Sequence, residues 1–224
     1  ASDFIRVKEG MSRINVKLKS DQESEINGMG PKITGEDVEA LFQKLDRLEK
    51  GDVLVLSGSI PAAIDDGIYE TIMARLSGRG IRIAVDAEKE LLLKVLPYHP
   101  FLIKPNHLEL GEMFGQVLKS KEAILRCAEK LQQMGAENVL VSMAGDGAIL
   151  LDAEGQVHTQ GVAKGTVKNS VGAGDSMVAG FIAGYLKTGD YEEALKLVTA
   201  AGSATAFSDD LASGEFIWEL YDAI

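Results

Sequence analysis

The sequence predicts an α/β protein: a mainly parallel sheet with helices, carrying a small separate sheet at its N-terminal side. Three observations predict it. Short apolar runs alternate several times with amphipathic stretches of helical spacing, the rhythm of βαβ units. That rhythm breaks at 147–168, where two short runs flank Glu154-Gly155 and read as an antiparallel pair. The first thirty residues follow a different pattern, alternation at period two.

In chain order, Asp3-Phe4-Ile5-Arg6-Val7 is strand-like. From Ser12 to Lys19 the residues alternate strictly: Ile14, Val16 and Leu18 point one way; Arg13, Asn15, Lys17 and Lys19 point the other. A second strand is expected over Ser24–Met29, ended by Gly28, Gly30 and Pro31. Thr34, three residues before Asp37, resembles a helix start with Asp in place of the usual Glu or Gln of a capping box. Asp52–Ser57 is a buried-strand run closed by Gly58, and a helix follows over 65–79 with Ile68, Ile72 and Leu76 four apart. Ile81–Asp86 is the next strand, then a helix near 88–96, a short strand at Phe101–Ile103 and a helix opening near Asn106. A helix at 120–134 leads into strand Asn138–Met143. Helices are expected near 173–187, 190–206 and 214–222. These patterns divide the chain into a small sheet over 1–30 and an α/β body over 31–224.

Composition narrows the function classes. The 224 residues hold 23 Lys+Arg against 34 Asp+Glu, a net charge of −11, with 46% apolar and 25% charged residues. That acidic balance speaks against a broad nucleic-acid footprint, yet leaves room for a small anionic substrate held by local basic groups. No apolar run approaches the roughly 18 residues of a membrane span, and no basic segment with an apolar core suggests a secretory signal. A single cysteine, Cys127, makes no internal disulfide. The expectation is a protein of the reducing cytoplasm with no membrane or nucleic-acid partner.

The sharpest motif is Asn169-Ser170-Val171-Gly172-Ala173-Gly174-Asp175 ahead of an apolar helix. Small residues let a ligand approach the backbone, and the first-turn N–H groups favour an anion. A carboxylate inside an anion cradle is unfavourable unless it takes a proton from an attacking hydroxyl. A glycine-rich turn with Asp175 as a simple cap fits the residues equally. Lys104-Pro105-Asn106-His107-Leu108-Glu109 follows a strand, and Asn106 and Glu109 share a helix face. They could hold hydrated Mg²⁺ or form a capping box. Ser142-Met143-Ala144-Gly145-Asp146-Gly147 and Ser57-Gly58-Ser59-Ile60-Pro61 both end strands, where open sheets bind ligands, although turn chemistry also explains their Gly and Pro. Arg13, Asn15 and Lys17 could clamp a phosphate or form a solvated face. GxxxxGK[ST], GxGxxG after a strand, GxSxG and HExxH are all missing, which removes the P-loop and Rossmann fingerprints and two hydrolase classes.

Together these residues resemble the ribokinase-like PfkB group of sugar kinases. NSVGAGDSMVAGF (169–181) is similar to that family's C-terminal signature and KPNHLE (104–109) to its Asn-x-x-Glu motif. SGSIP (57–61), SMAGDGA (142–148) and AAGSATAF (200–207) fall in the family's order. The Asn-Ser opening resembles the branch that acts on sugar phosphates: 1-phosphofructokinase, tagatose-6-phosphate kinase and the minor 6-phosphofructokinase. The resemblance implies a three-layer sandwich with a β-lid and ATP-dependent phosphorylation of a ketose phosphate. Fructose 1-phosphate is the first expectation, tagatose 6-phosphate or fructose 6-phosphate the alternatives. It implies Asp175 as base, Gly172, Ala173 and Gly174 as amide donors to the transferring phosphoryl, and Asn106 with Glu109 organising Mg²⁺ through water. Lys104, Ser142, Gly145, Gly147, Gly174, Gly202 and Ser208 would border ATP. Ser57, Gly58 and Ser59 would face the sugar; Arg13 and Asn15 would lie on the lid near its phosphate, with a homodimer possible through that lid. The family's N-terminal strands, with a Gly-Gly motif and sugar-contacting Asp and Asn, are not in these residues. Part of the sheet and half of the sugar pocket are therefore expected upstream, and without them full kinase activity is not expected. A catalytically inactive sugar-phosphate or nucleotide-binding module is the reading from a different class; a nucleoside kinase is a third.

Overall fold

A computed structural model describes residues 2–18, 24–61 and 63–224. The chain divides into two compact units: Ala1–Asp52 with Ser59–Ile81, and Val53–Gly58 with Arg82–Ile224. Each unit draws on separate stretches of chain.

In the first unit, β1 (Asn15–Leu18) pairs antiparallel with β2 (Ser24–Asn27), Val16 opposite Ile26. Both strands are shorter than the alternating pattern, and Lys19 lies outside the described residues. Arg13 precedes β1 rather than lying on it, and Asp3–Val7 forms no strand, with Phe4 left 85% exposed. Among the described residues no strand runs beside that segment, and an extended run needs a partner for its N–H and C=O groups. The alternation at 14–18 is real, but its apolar side is uncovered: Ile14, Val16, Leu18 and Ile26 are all exposed. α1 (Gly35–Leu45) opens with the expected capping box: the Thr34 amide donates to Asp37 Oδ2 at 2.8 Å, and the Asp37 amide donates to Thr34 Oγ1 at 3.3 Å. Asp serves in place of Glu because its carboxylate reaches both the Thr34 amide and its hydroxyl. α2 (Ile68–Leu76) is shorter than the periodicity suggested and buries Ile68, Ile72, Met73 and Leu76. Arg75 grips Asp46, at the end of α1, with two hydrogen bonds of 2.7 and 2.6 Å. That fork holds the Asp46 carboxyl below its usual range.

The second unit holds a six-stranded sheet: β3 (Val53–Ser57), β4 (Arg82–Asp86), β5 (Leu102–Ile103), β6 (Asn138–Ser142), β7 (Ala148–Leu151) and β8 (Val157–Gln160), adjacent in that order. β3 to β6 are parallel; β7 and β8 are antiparallel, as the break in rhythm predicted. Side chains alternate across the sheet. Leu140, Ala148 and Leu150 therefore pack with Val178, Phe181, Ala194, Leu195 and Val198 of α6 (Ala173–Thr188) and α7 (Tyr191–Ala206). On the other face lie α3 (Lys89–Val95), α4 (His107–Met113) and α5 (Lys121–Gln133), with Ile124, Cys127, Ala128 and Leu131 of α5 buried. This is the expected sandwich of a mainly parallel sheet between helix layers, completed by α8 (Gly214–Ala223) beside α7.

α6 and α7 meet backbone to backbone. A Cβ on Gly180 would stand 2.8 Å from the Leu197 carbonyl, and one on Gly184 2.8 Å from Ala194 Cα. The close approach fixes where the first turn of α6 sits, at the end of the sheet where β3, β4, β5 and β6 present their C-termini.

Candidate functional site

The second unit assembles a site from four loops at the C-terminal ends of its parallel strands. At the centre is the start of α6. Gly172 adopts φ +80°, a left-handed conformation that suits glycine, and a Cβ there would strike Leu211 at 2.6 Å. No side chain caps this helix. The Ala173 amide donates to the Ser170 carbonyl at 3.3 Å, whereas those of Gly174 and Asp175 make no hydrogen bond among the described residues. Of the three donors expected at 172–174, Ala173 is thus already engaged, and Asp175 adds an open amide of its own. Open first-turn amides attract an anion.

Asp175 is exposed at this helix start, and its Oδ1 accepts a hydrogen bond from Ser57 Oγ at 3.2 Å. Ser57 ends β3 and lies in register with Asp86 at the end of β4, whose carbonyl accepts from the Gly58 amide. Lys104, immediately after β5, is buried at 7% exposure. Its Nζ lies 3.3 Å from Asp86 Oδ1 and 3.1 Å from where a Cβ on Gly174 would stand. Burial pushes the Asp86 carboxyl above its usual range; the Lys104 ammonium opposes this, and the charges of Asp175 and Glu109 add to it.

Asn106 and Glu109 form the capping box of α4. Asn106 Oδ1 accepts from the Leu108 and Glu109 amides, each at 2.9 Å, and the Asn106 amide donates to Glu109 Oε2 at 2.8 Å. The capping-box reading is the one the structure shows, and the box uses one oxygen of each side chain. Asn106 Nδ2 and Glu109 Oε1 make no hydrogen bond among the described residues. The free carboxylate oxygen of Glu109 suits Mg²⁺, which keeps several waters and takes its remaining ligands from phosphates, whereas the free Asn106 Nδ2 is a donor that suits a phosphate oxygen. Pairing of Asn106 with Ser142 holds this motif beside the loop that follows β6.

That loop borders a cavity of about 430 Å³. Ser142, Gly145, Gly147, Gly174 and Gly202, all expected to border a nucleotide, line it, and so does Asn106. Lys104 and Ser208 do not; the Ser208 hydroxyl donates back to the Ala204 carbonyl at 2.8 Å and closes α7, while Phe207 takes the lining position. Sequence reasoning missed Val162 and Val167, on the loop between β8 and α6, and Met177 and His107. Val162 and Val167 are exposed apolar residues in a polar loop, the one signal that could have found them. Arg13, Asn15 and Ser59 belong to the first unit, and the second unit's site is built without them. No described helix is long and apolar enough to cross a membrane.

Comparison with known proteins agrees with this geometry. Residues 1–214 match the pfkB family of carbohydrate kinases. The chain is 49% identical over 217 residues to a 1-phosphofructokinase of Bacillus subtilis, covering 97% of this chain and 71% of that protein. It is 37% identical to a D-tagatose-1-phosphate kinase of Bacillus licheniformis, covering 94% and 69%. A solved structure from Staphylococcus aureus, described as a candidate phosphofructokinase, superposes with a TM-score of 0.87 at 41% identity, covering 98% of this chain and 71% of that one. An exposed carboxylate among open helix amides, a strand-end lysine beside it and a match running through residue 214 converge on one conclusion: this chain belongs to the pfkB carbohydrate kinases.

Proposed function

We propose that this protein phosphorylates a ketose phosphate at the expense of ATP, converting fructose 1-phosphate to fructose 1,6-bisphosphate. The observation that carries the reading is Asp175: an exposed carboxylate, held by Ser57, within the same helix turn whose Gly174 and Asp175 amides stand open. A sugar hydroxyl brought to Asp175 loses its proton to the carboxylate as its oxygen bonds to the γ-phosphorus. The bond from that phosphorus to the bridging oxygen breaks, and ADP leaves with the electron pair. The open amides and the Lys104 ammonium face charge that develops on the transferring group, the arrangement by which preorganised donors accelerate such steps. The cavity bordered by Ser142, Gly145, Gly147 and Gly202 would take the nucleoside, its phosphates running toward Gly174. Glu109 would hold Mg²⁺ through water, and Asn106 Nδ2 would donate to a phosphate oxygen beside it; when bound, the ion offsets phosphate charge.

Fructose 1-phosphate is the first choice because the relative at 49% identity bears the name 1-phosphofructokinase. Tagatose 1-phosphate is the second, on the relative at 37%. Arg13 and Asn15, exposed at the start of β1, are proposed to meet the sugar's existing phosphate. The uncovered apolar face of the small sheet supports a second copy of the chain as its partner, since Ile14, Val16, Leu18 and Ile26 together form a patch that water does not favour. A reducing cytoplasm is the proposed setting, where buried Cys127 needs no partner.

The test is ATP turnover on fructose 1-phosphate, tagatose 1-phosphate, tagatose 6-phosphate and fructose 6-phosphate, with the intact mass measured on the same sample. Preference for fructose 1-phosphate is expected. Tight binding of these sugars without turnover would instead identify a binding module.

A further inference from the structure

Of the described lysines and arginines, only Lys104 is buried. Burying an ammonium is costly unless a partner holds it. Its partner is Asp86, 3.3 Å away and reached from the neighbouring strand end. Asp86 is itself four-fifths buried. The mechanism above gives Asp175 the proton and Glu109 the helix cap and the metal's water, and leaves Asp86 without a task. Yet Asp86 brings a further negative charge to a place that must receive an anion. A carboxylate there weakens anion binding unless it secures something worth more.

We propose that Asp86 is a positioning residue, anchoring the Lys104 ammonium against the first turn of α6 so that an incoming phosphate chain meets a fixed cation. The geometry supports this in two ways. Lys104 has a long, flexible stem, and the ion pair with Asp86 holds its ammonium in one place. Gly174 then has a reason beyond helix capping. A side chain there would begin 3.1 Å from Nζ and displace the ammonium from the open amides. The ammonium has three donors, so it can keep Asp86 and still reach a phosphate oxygen. This inference deepens the kinase reading and rests on it.

The experiment compares the intact protein with Asp86→Asn, Asp86→Ala, Lys104→Met and the double variant Asp86→Ala/Lys104→Met. In turnover of the preferred ketose phosphate, Asp86→Ala is expected to lower kcat by about 10- to 100-fold, the scale of a misplaced catalytic group. KM for the sugar should hold. Asp86→Asn, which still accepts a hydrogen bond, should recover most of the loss. In the Lys104→Met background, Asp86→Ala should have little further effect, because the residues act as a unit. Losses that multiply would overturn the proposal, since Asp86 would then act through another group. A second readout needs no substrate. In NMR of ¹⁵N-labelled protein, a slowly exchanging ammonium signal that vanishes in Lys104→Met should persist in Asp86→Asn and be lost in Asp86→Ala. Its survival in Asp86→Ala overturns the anchor. If Asp86→Ala does not fold, the isosteric Asp86→Asn decides: faster ammonium exchange than wild type supports the anchor, unchanged exchange overturns it. Wild-type protein inactive on every phosphorylated ketose would sink the kinase reading, while the ammonium signal would still report on Asp86.

Discussion

At Asp175 a carboxylate sits among amides that attract anions, so charge alone would favour its removal. Asp175→Asn should therefore leave ATP binding intact or tighter, while kcat falls by about 10²–10⁴-fold through loss of the base. Calorimetric titration with ATP beside steady-state rates checks both halves, and an Asn variant with near-normal turnover would remove Asp175 from the role. Ala144 poses a different residue-scale problem. It holds φ +49° at the turn after β6, a left-handed conformation that costs an L-residue about 1–2 kcal/mol. Part of any relief from glycine is offset by the freer unfolded chain, so Ala144→Gly should stabilise the protein by about 0.5–1 kcal/mol. Thermal melting tests this; an unchanged or lower Tm counts against strain at that turn. Asp175, Asn106 and Glu109 were legible because each lies within one short contiguous motif. Asp86 was not. It ends an ordinary buried strand, and only parallel pairing of β4 with β5 brings Lys104 against it. Val162 and Val167 escaped as well, since a cavity wall contributed by the loop between β8 and α6 leaves no motif spacing to read.

Elements were easier to read than their partners. Each strand from β3 to β8 and each helix from α3 to α8 lies within a residue or two of its hydrophobic pattern, because burial on defined faces imposes that pattern. Two strands of the small sheet were read in place though too long, Asp3–Val7 was misread as strand-like, and alternation could not say whether the apolar side is covered. The α6–α7 contact carries a prediction of its own. Gly180→Ala and Gly184→Ala would each gain about 1 kcal/mol of helix propensity. Each added methyl meets backbone at 2.8 Å, which cannot swing aside, and overpacking costs about 1–3 kcal/mol. A net loss and a lower Tm are expected; stabilisation would show that the helices can separate at no cost. The β7–β8 hairpin depends on Asp152, almost fully buried. Burial pushes its carboxyl up, but hydrogen bonds from the His158 ring and from the Gln156 and Glu154 amides outweigh this and hold it below its usual range. A carboxyl depressed in the folded state stabilises at pH above its unfolded value and loses that contribution as pH falls through its folded value. Asp152→Asn should thus cost about 1–3 kcal/mol near neutrality, and the gap from wild type should close in acid below pH about 4. Denaturant unfolding at pH 7 and pH 3 tests the sign; a gap that widens in acid refutes it.

For the whole molecule, the exposed row of Ile14, Val16, Leu18 and Ile26 predicts self-association. Sedimentation should find a dimer, and Val16→Asp with Ile26→Lys should shift it toward monomer without loss of fold. A protein that is monomeric at every concentration would refute the second-copy partner. The division into two units has a consequence for how the chain is made. The first unit takes residues up to Asp52, the second takes β3, the first takes Ser59–Ile81, and the second takes the rest. Three passages join them, so no single cut separates the two, and neither can be produced as one uninterrupted stretch. On the ribosome, β3 emerges before β4, the only strand beside it among the described residues, has been synthesised. At ordinary synthesis rates of about 5–20 residues per second the wait is seconds long. During it Val53–Ser57 is an apolar strand without its β4 neighbour. Slowing translation just after residue 57 should therefore raise the yield of aggregate, whereas slowing it after residue 86, once the β3–β4 pair can close, should not.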